Sequence, residues 1–341
     1  MTPGTRLPIA CAVLILVGAA LVGVLVGPVD LGVTTIARAA LSHVPLLHVH
    51  SSLSASDSAI LWQLRAPRVV LGALVGGMLA LAGASYQGVF RNPLADPYLL
   101  GIAAGAGLGA TLAIVYGHET VRVYDLIPLA AFVGGAIGVV AAYALGRSAS
   151  RGRNTAALIL AGVTVTSFLT ALQTFVQQQH SQSLQEVYSW ILGHLDTAGW
   201  HDVALVAPYI GVSAAVILLH RRVLDVLSVG DEEAASLGVN VTRTRLLVVI
   251  FATIGTAAAV AISGLIGFVG IIVPHAIRLA IGPSYRLILP LSLLGGAGFL
   301  VLADVIARSV MSPAELPIGV VTAFFGAPFF AVVLRTSRSF T

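Results

Sequence analysis

The chain has 341 residues, 57% of them hydrophobic and 9% charged, with a formal net charge of +4. Soluble domains carry about 25% charged residues, so a water-facing surface over most of the chain is excluded and a polytopic, all-α membrane protein is expected. All 18 basic residues are arginine; without lysine there is no Walker A P-loop, and the single cysteine, Cys11, excludes an internal disulfide.

Ten apolar segments follow one another, at 9–27, 66–86, 98–116, 126–146, 155–176, 203–219, 245–263, 265–281, 287–306 and 316–334. Roughly 20 helical residues cover the ~30 Å hydrocarbon core, so each is read as a span. The first is long for a signal-peptide core and no small-x-small cleavage site follows it, so it is read as a retained span. Residues 28–64 hold a polar tip at 51–58. His48-Val49-His50 in this stretch lacks a third ligand, and a solvated loop rather than a metal site is expected.

Arg65 and Arg68 head the second span, three residues apart and so on one helix face. The span ends in Arg91-Asn92-Pro93-Leu94-Ala95-Asp96-Pro97, where the two prolines forbid a continuous helix. Asn154-Thr155-Ala156 opens the fifth span. The loop 221–244 contains Gly230-Asp231-Glu232-Glu233-Ala234-Ala235-Ser236-Leu237-Gly238. This reads as a short helix with acids at the positive end of its dipole and glycine at its stop. Such a helix is unstable alone in water, so it must pack on something. Residues 245–281 form one long run broken by Ser263-Gly264, and Arg278 snorkels from its end. His275 is read as structural. Glu315-Leu316-Pro317-Ile318-Gly319 leads into the last span.

Arginine placement sets the orientation. With a cytoplasmic N-terminus, thirteen arginines fall inside and five outside: Arg38, Arg65, Arg68, Arg122 and Arg308. That predicts ten spans in one transmembrane domain over 1–341, with both termini cytoplasmic. An offset of 181 pairs Ala80 and Gly83 with Ala261 and Gly264, Pro93 with Pro274, and Gly101 with Gly282. Copies five spans apart have opposite orientation, so this reads as an inverted repeat of spans 2–5 and 7–10. The many glycines inside spans are read mainly as close-packing positions.

Of the 14 acids only Asp304 lies inside a span, near its outer end. Ion-coupled carriers place carboxylates mid-membrane, so an ion-coupled secondary transporter is the weaker alternative. No HExxH, GxSxG or cysteine pair is present; no catalytic residue and no metal site is expected.

Four blocks between about residues 60 and 335 resemble the permeases of type II ABC importers, the FecCD/BtuC family: the stretch 64–108, the 230–238 helix, Gly264 to Arg278, and Glu315 to Phe330. The resemblance implies a subunit that is not itself an enzyme and carries no cofactor, ATP and Mg being held by a separate ABC ATPase. A homodimer in the bacterial cytoplasmic membrane would form the pore. An extracytoplasmic substrate-binding protein would deliver a large metal chelate: an iron–siderophore (the commonest family cargo), haem or cobalamin. Nucleic acid is not an expected partner. Residue by residue, the resemblance makes Gly230, Asp231, Ala234, Leu237 and Gly238 the ATPase coupling helix. It places Asn92 and Leu94 at a cytoplasmic gate. It makes Thr155 and Ala156 a second element of that gate, at the place where the cobalamin permease has small hydroxyl residues, and Ala156 departs from that. It assigns Arg65, Arg68 and Arg308 to docking the binding protein.

Overall fold

The computed structural model describes residues 3–29, 31–42, 53–117, 123–149 and 155–336. Among them there are helices, turns and no strands. The helices are α1 (Pro3–Leu25), α2 (Val33–Ser42), α3 (Ala55–Phe90), α4 (Ile102–Tyr116), α5 (Val123–Ala149), α6 (Thr155–Gln179), α7 (Leu184–Ile191), α8 (Trp200–Leu219), α9 (Arg221–Val229), α10 (Asp231–Ser236), α11 (Val241–Ser263), α12 (Val269–Ile281), α13 (Tyr285–Ser309) and α14 (Ile318–Thr336). Each apolar segment of the sequence coincides with one helix. Seven are long and apolar enough to cross a bilayer: α1, α3, α5, α6, α8, α11 and α13. The other three, α4, α12 and α14, are apolar but shorter. His48, Val49, His50 and Asn154 lie outside the described residues.

α3 is the central post, 36 residues long and so about 54 Å at 1.5 Å per residue. Its Ile60–Arg65 portion is a wide π turn. Pro67 explains the turn: an ordinary helix would drive the proline ring into a carbonyl one turn earlier, and a π turn lets the chain continue. α13 lies directly on α3. A methyl on Gly76 would sit 2.3 Å from the Gly296 carbonyl oxygen, so the two backbones touch. α4 and α5 meet the same way, with 2.1 Å between a methyl on Gly105 and the Gly134 carbonyl oxygen. Small residues thus serve close helix approach, as expected in lipid.

The run 245–281 is interrupted over a longer stretch than the sequence suggested. α11 stops at Ser263, Gly264 has φ +67°, and helix resumes only after Phe268, which is left-handed at φ +69°. Gly326 of α14 makes room for the Phe268 side chain; a methyl there would lie 2.3 Å from Phe268 Cγ. Non-helical backbone at membrane depth must find partners inside the protein. Tyr98 supplies two: its hydroxyl donates to the Ile266 carbonyl at 3.1 Å and accepts from the Ile266 amide at 3.2 Å. The His194 amide donates to the Ser263 carbonyl at 2.9 Å.

The offset of 181 does not relate equivalent places. Gly83 lies within α3, whereas Gly264 ends α11; Pro93 lies in a loop, whereas Pro274 is inside α12.

Candidate functional site

Two arginine–carboxylate clusters sit at opposite ends of the bundle. At the first, Arg68 of α3 donates to Asp304 of α13 through Nε and Nη2 at 2.8–3.1 Å. It also donates to Glu315 at 3.0 and 2.8 Å. Arg308, one turn after Asp304, holds the same carboxylate at 3.3 Å. Arg308 and Arg65 then reach α1. Arg308 donates to the Gly23 carbonyl, and Arg65 to those of Val24, Leu25 and Val29. The last carbonyls of a helix have no partner within it and form the negative end of its dipole, so these two arginines close α1. Gly27 permits this approach; a methyl there would lie 2.7 Å from Arg65 Nη2.

All three arginines expected on a docking surface are therefore engaged within the chain. Arg65 is 4% and Arg308 2% exposed. The side chain of Arg68 is 12% exposed and that of its partner Glu315 32%. A cavity of about 90 Å³ adjoins them, lined in part by Arg68, His194, Asp196, Asp304 and Glu315. It is too small for a metal chelate, since ligand pockets measure roughly 300–1,000 Å³. His194 Nδ1 stands 3.4 Å from Asp196, and its hydrogen bond holds that carboxyl below the usual carboxylate range.

The opposite end is built by α9 and α10. α9 is amphipathic, with Leu224 and Leu227 fully buried. Asp225 pins it to the start of α13, accepting from the Ser284 hydroxyl and the Tyr285 amide and pairing with Arg286 at 3.2 Å. α10 follows over Asp231–Ser236. Its stop is the expected glycine: Gly238 has φ +83°, its amide donates to Ala235, and the Val239 amide donates to Ala234. Together these bonds make a Schellman cap. The five motif residues divide by face. Ala234 is fully buried and seats the helix on the bundle, whereas Leu237 is 71% exposed, and Val229 at the end of α9 is exposed as well. Asp231 accepts from Arg91 at 2.9 Å and from Arg245 at 3.1 Å.

Between α3 and the Pro97–Leu100 turn runs the 91–97 loop. Arg91 is left-handed at φ +49°, and the Asn92 amide donates back to the Gln87 carbonyl at 3.2 Å, ending α3. The Asn92 side chain accepts from the Leu94 amide at 2.9 Å, a turn-forming bond typical of asparagine. Leu94 itself is exposed. Asp96 caps the following turn through the Tyr98 amide. Gln87 ties the loop's base to α12, donating to the Gly270 carbonyl and accepting from Arg278. α6 packs on the turn that follows the loop about two turns into the helix, where a methyl on Gly162 would lie 2.0 Å from the Leu99 carbonyl oxygen. Thr155 and Ala156 open that helix, with side chains outside the described set. His275 packs edge-on to Phe329, with ring centroids 6.0 Å apart.

A model of the FecCD transport family matches residues 13–336. The chain belongs to the FecCD transport family. It is 39% identical over 357 residues to the cobalamin import system permease protein BtuC of Halobacterium salinarum, covering 96% of this chain and 95% of that one. It is 40% identical over 276 residues to an ABC transporter permease protein, YvrB, of Bacillus subtilis, covering 81% and 78%. The hemin transport system permease protein HmuU of Yersinia pestis is 40% identical over 282 residues, with 81% and 83% covered. A solved inward-facing conformation of a transporter described as of the metal-chelate ABC type superposes with a TM-score of 0.81 at 28% identity, covering 96% of this chain and 98% of that one. The chain is accordingly an ABC-transporter permease and a multi-pass membrane protein, of a family whose members are transport components and not enzymes.

Sequence reasoning had isolated the arginines, the 91–97 loop and α10 one at a time. It missed Arg91, Arg245, Asp225 and Gln87, which tie them to their surroundings. Gln87, Arg91 and Arg245 lie within about a turn of a helix end and Asp225 in the middle of α9, so position along the chain did not single them out.

Proposed function

We propose that the chain is the membrane-spanning subunit of an ATP-driven importer that takes a large metal chelate from an extracytoplasmic binding protein to the cytoplasm by alternating access. The observation that carries this is α10: a short helix seated by Ala234, fixed by Asp231 and Gly238, and presenting Leu237 and Val229 outward. In this reading a separate ATPase, holding ATP and Mg, docks on that apolar face. The α10 end is then cytoplasmic, as are both termini. The three shorter apolar helices complete ten spans, and a second copy supplies the other half of the pore in the cytoplasmic membrane. Leu94, positioned by Asn92, forms the inner gate with the start of α6 at Thr155 and Ala156.

For the binding protein, Arg68 and the adjoining Glu315 are the contact. Arg65 and Arg308 act behind them by holding α1. The relatives' names span cobalamin, hemin and ferric citrate at 38–40% identity, which supports a chelate as cargo without favouring one. The test is reconstitution with the cognate ATPase and binding protein and uptake of labelled cobalamin, haem and a ferric siderophore. ATP-dependent uptake of one of them is expected; ATP-independent uptake driven by an ion gradient would reject the reading.

A further inference from the structure

We propose that Asp231 and Arg91 are a positioning pair that carries movement of α10 into the 91–97 loop, so that the state of the ATPase sets the position of Leu94. The inference rests on the reading that α10 docks an ATPase.

The pair joins residues 140 positions apart. Asp231 is the first residue of α10, and Arg91 is the last before Asn92. A shift of α10 therefore acts on the very residue from which the loop departs. Asp231 is also shared. Arg245 of α11 reaches the same carboxylate at 3.1 and 3.3 Å. One carboxylate between two arginines, one on the loop and one on a long helix, can favour either with a small displacement.

Two further features fit a movable tie. The side chains of Arg91 and Asp231 are 43% and 42% exposed, and an exposed pair adds little to stability and exchanges readily with water. Arg91 also occupies the left-handed position after a helix end, where glycine is favoured. Nothing in the backbone asks for arginine there; the ion pair does. Within the loop Asn92 holds Leu94, while the far end is anchored, with Ala95 and Pro97 buried and Tyr98 bonded to Ile266, so a displacement at Arg91 is taken up by residues 92–94.

The experiment uses the complex of the chain with its ATPase in nanodiscs, carrying Leu94→Cys in a Cys11→Ser background. A membrane-impermeant maleimide measures the labelling rate of the new cysteine with and without trapped nucleotide. The background should show a ratio of at least about fivefold, the lower end of ordinary allosteric coupling. Asp231→Asn and Arg91→Gln should each bring it near unity, the double variant should add nothing, and the ATPase should stay bound in all three. Arg245→Gln leaves the Arg91 contact in place and should keep the ratio. A background ratio surviving in Asp231→Asn overturns the proposal. So does a ratio lost as fully in Arg245→Gln as in Arg91→Gln, because Asp231 would then only anchor α10 to α11. Loss of the ATPase from Asp231→Asn alone makes Asp231 a docking residue and also overturns it. Absence of the ATPase from the background complex fells the reading of α10 beneath it, a result distinguishable from the others.

Discussion

The two ends of the bundle carry the same chemistry in different surroundings. At the α1 end, Asp304 is held by Arg68 and Arg308 and is almost fully buried, as are Arg308 and Arg65. At the α10 end, Asp231 is held by Arg91 and Arg245 and is nearly half exposed. A charge taken out of water cannot be left without its partner, whereas one kept in water can. The first cluster is accordingly a fixture that locks α1, α3 and α13 together. The second is free to change partners.

The sharpest way to break that contrast is Asp304→Ala. It leaves Arg308 buried without a carboxylate and Arg68 with only Glu315. Removing one member of a buried pair costs about 3–5 kcal/mol, read as a lower unfolding midpoint in detergent. A loss under about 1 kcal/mol would show that water reaches the cluster after all. Ala234→Leu comes next: its side chain has no room beneath α10, and overpacking costs about 1–3 kcal/mol. The same unfolding assay checks it, and α10 should also become more open to protease. Arg65→Ala removes donors from the end of α1 at a similar cost of about 1–3 kcal/mol for carbonyls left unsatisfied. Hydrogen exchange should rise in the last turn of α1 and not in α13. Asp231→Asn should stay within about 1 kcal/mol of wild type, although it alters coupling; a loss as large as that of Asp304→Ala would erase the distinction between the ends.

How much of this the sequence revealed depended on how local each feature is. The ten apolar segments, the break in the helix at Pro93 and Pro97, and the stop at Gly238 depend on neighbouring residues, and each is found in place. The depth of the break after Ser263 was not visible, because residues 264–268 are as apolar as the spans around them and are satisfied by Tyr98 from far away. The role of Arg65 and Arg308 was not visible either. Their acceptors are backbone carbonyls at and just beyond the end of α1, 36 or more positions away in sequence, and every residue type offers a carbonyl. Ala234 and Leu237 looked alike as motif positions; only the packing of α10 shows that one faces in and the other out.

The smallest effect belongs to His194 beside Asp196. The carboxyl is held below its usual range by the histidine, so its contribution is present above the ordinary carboxylate pKa and lost as pH falls through the lowered one. His194→Ala should therefore unfold slightly earlier than wild type at about pH 5 and match it in stronger acid. A difference that grows with acid would place the effect elsewhere.

The central claim is that the α10 end is where an ATPase drives this permease. The most direct measurement is the amount of ATPase subunit retained when the chain is purified from cells that make both. The wild type and Arg65→Ala should retain it in stoichiometric amount. Leu237→Asp should lose it by more than about tenfold, because an unpaired charge would be buried at the contact. Full retention by Leu237→Asp together with wild-type uptake would contradict the account.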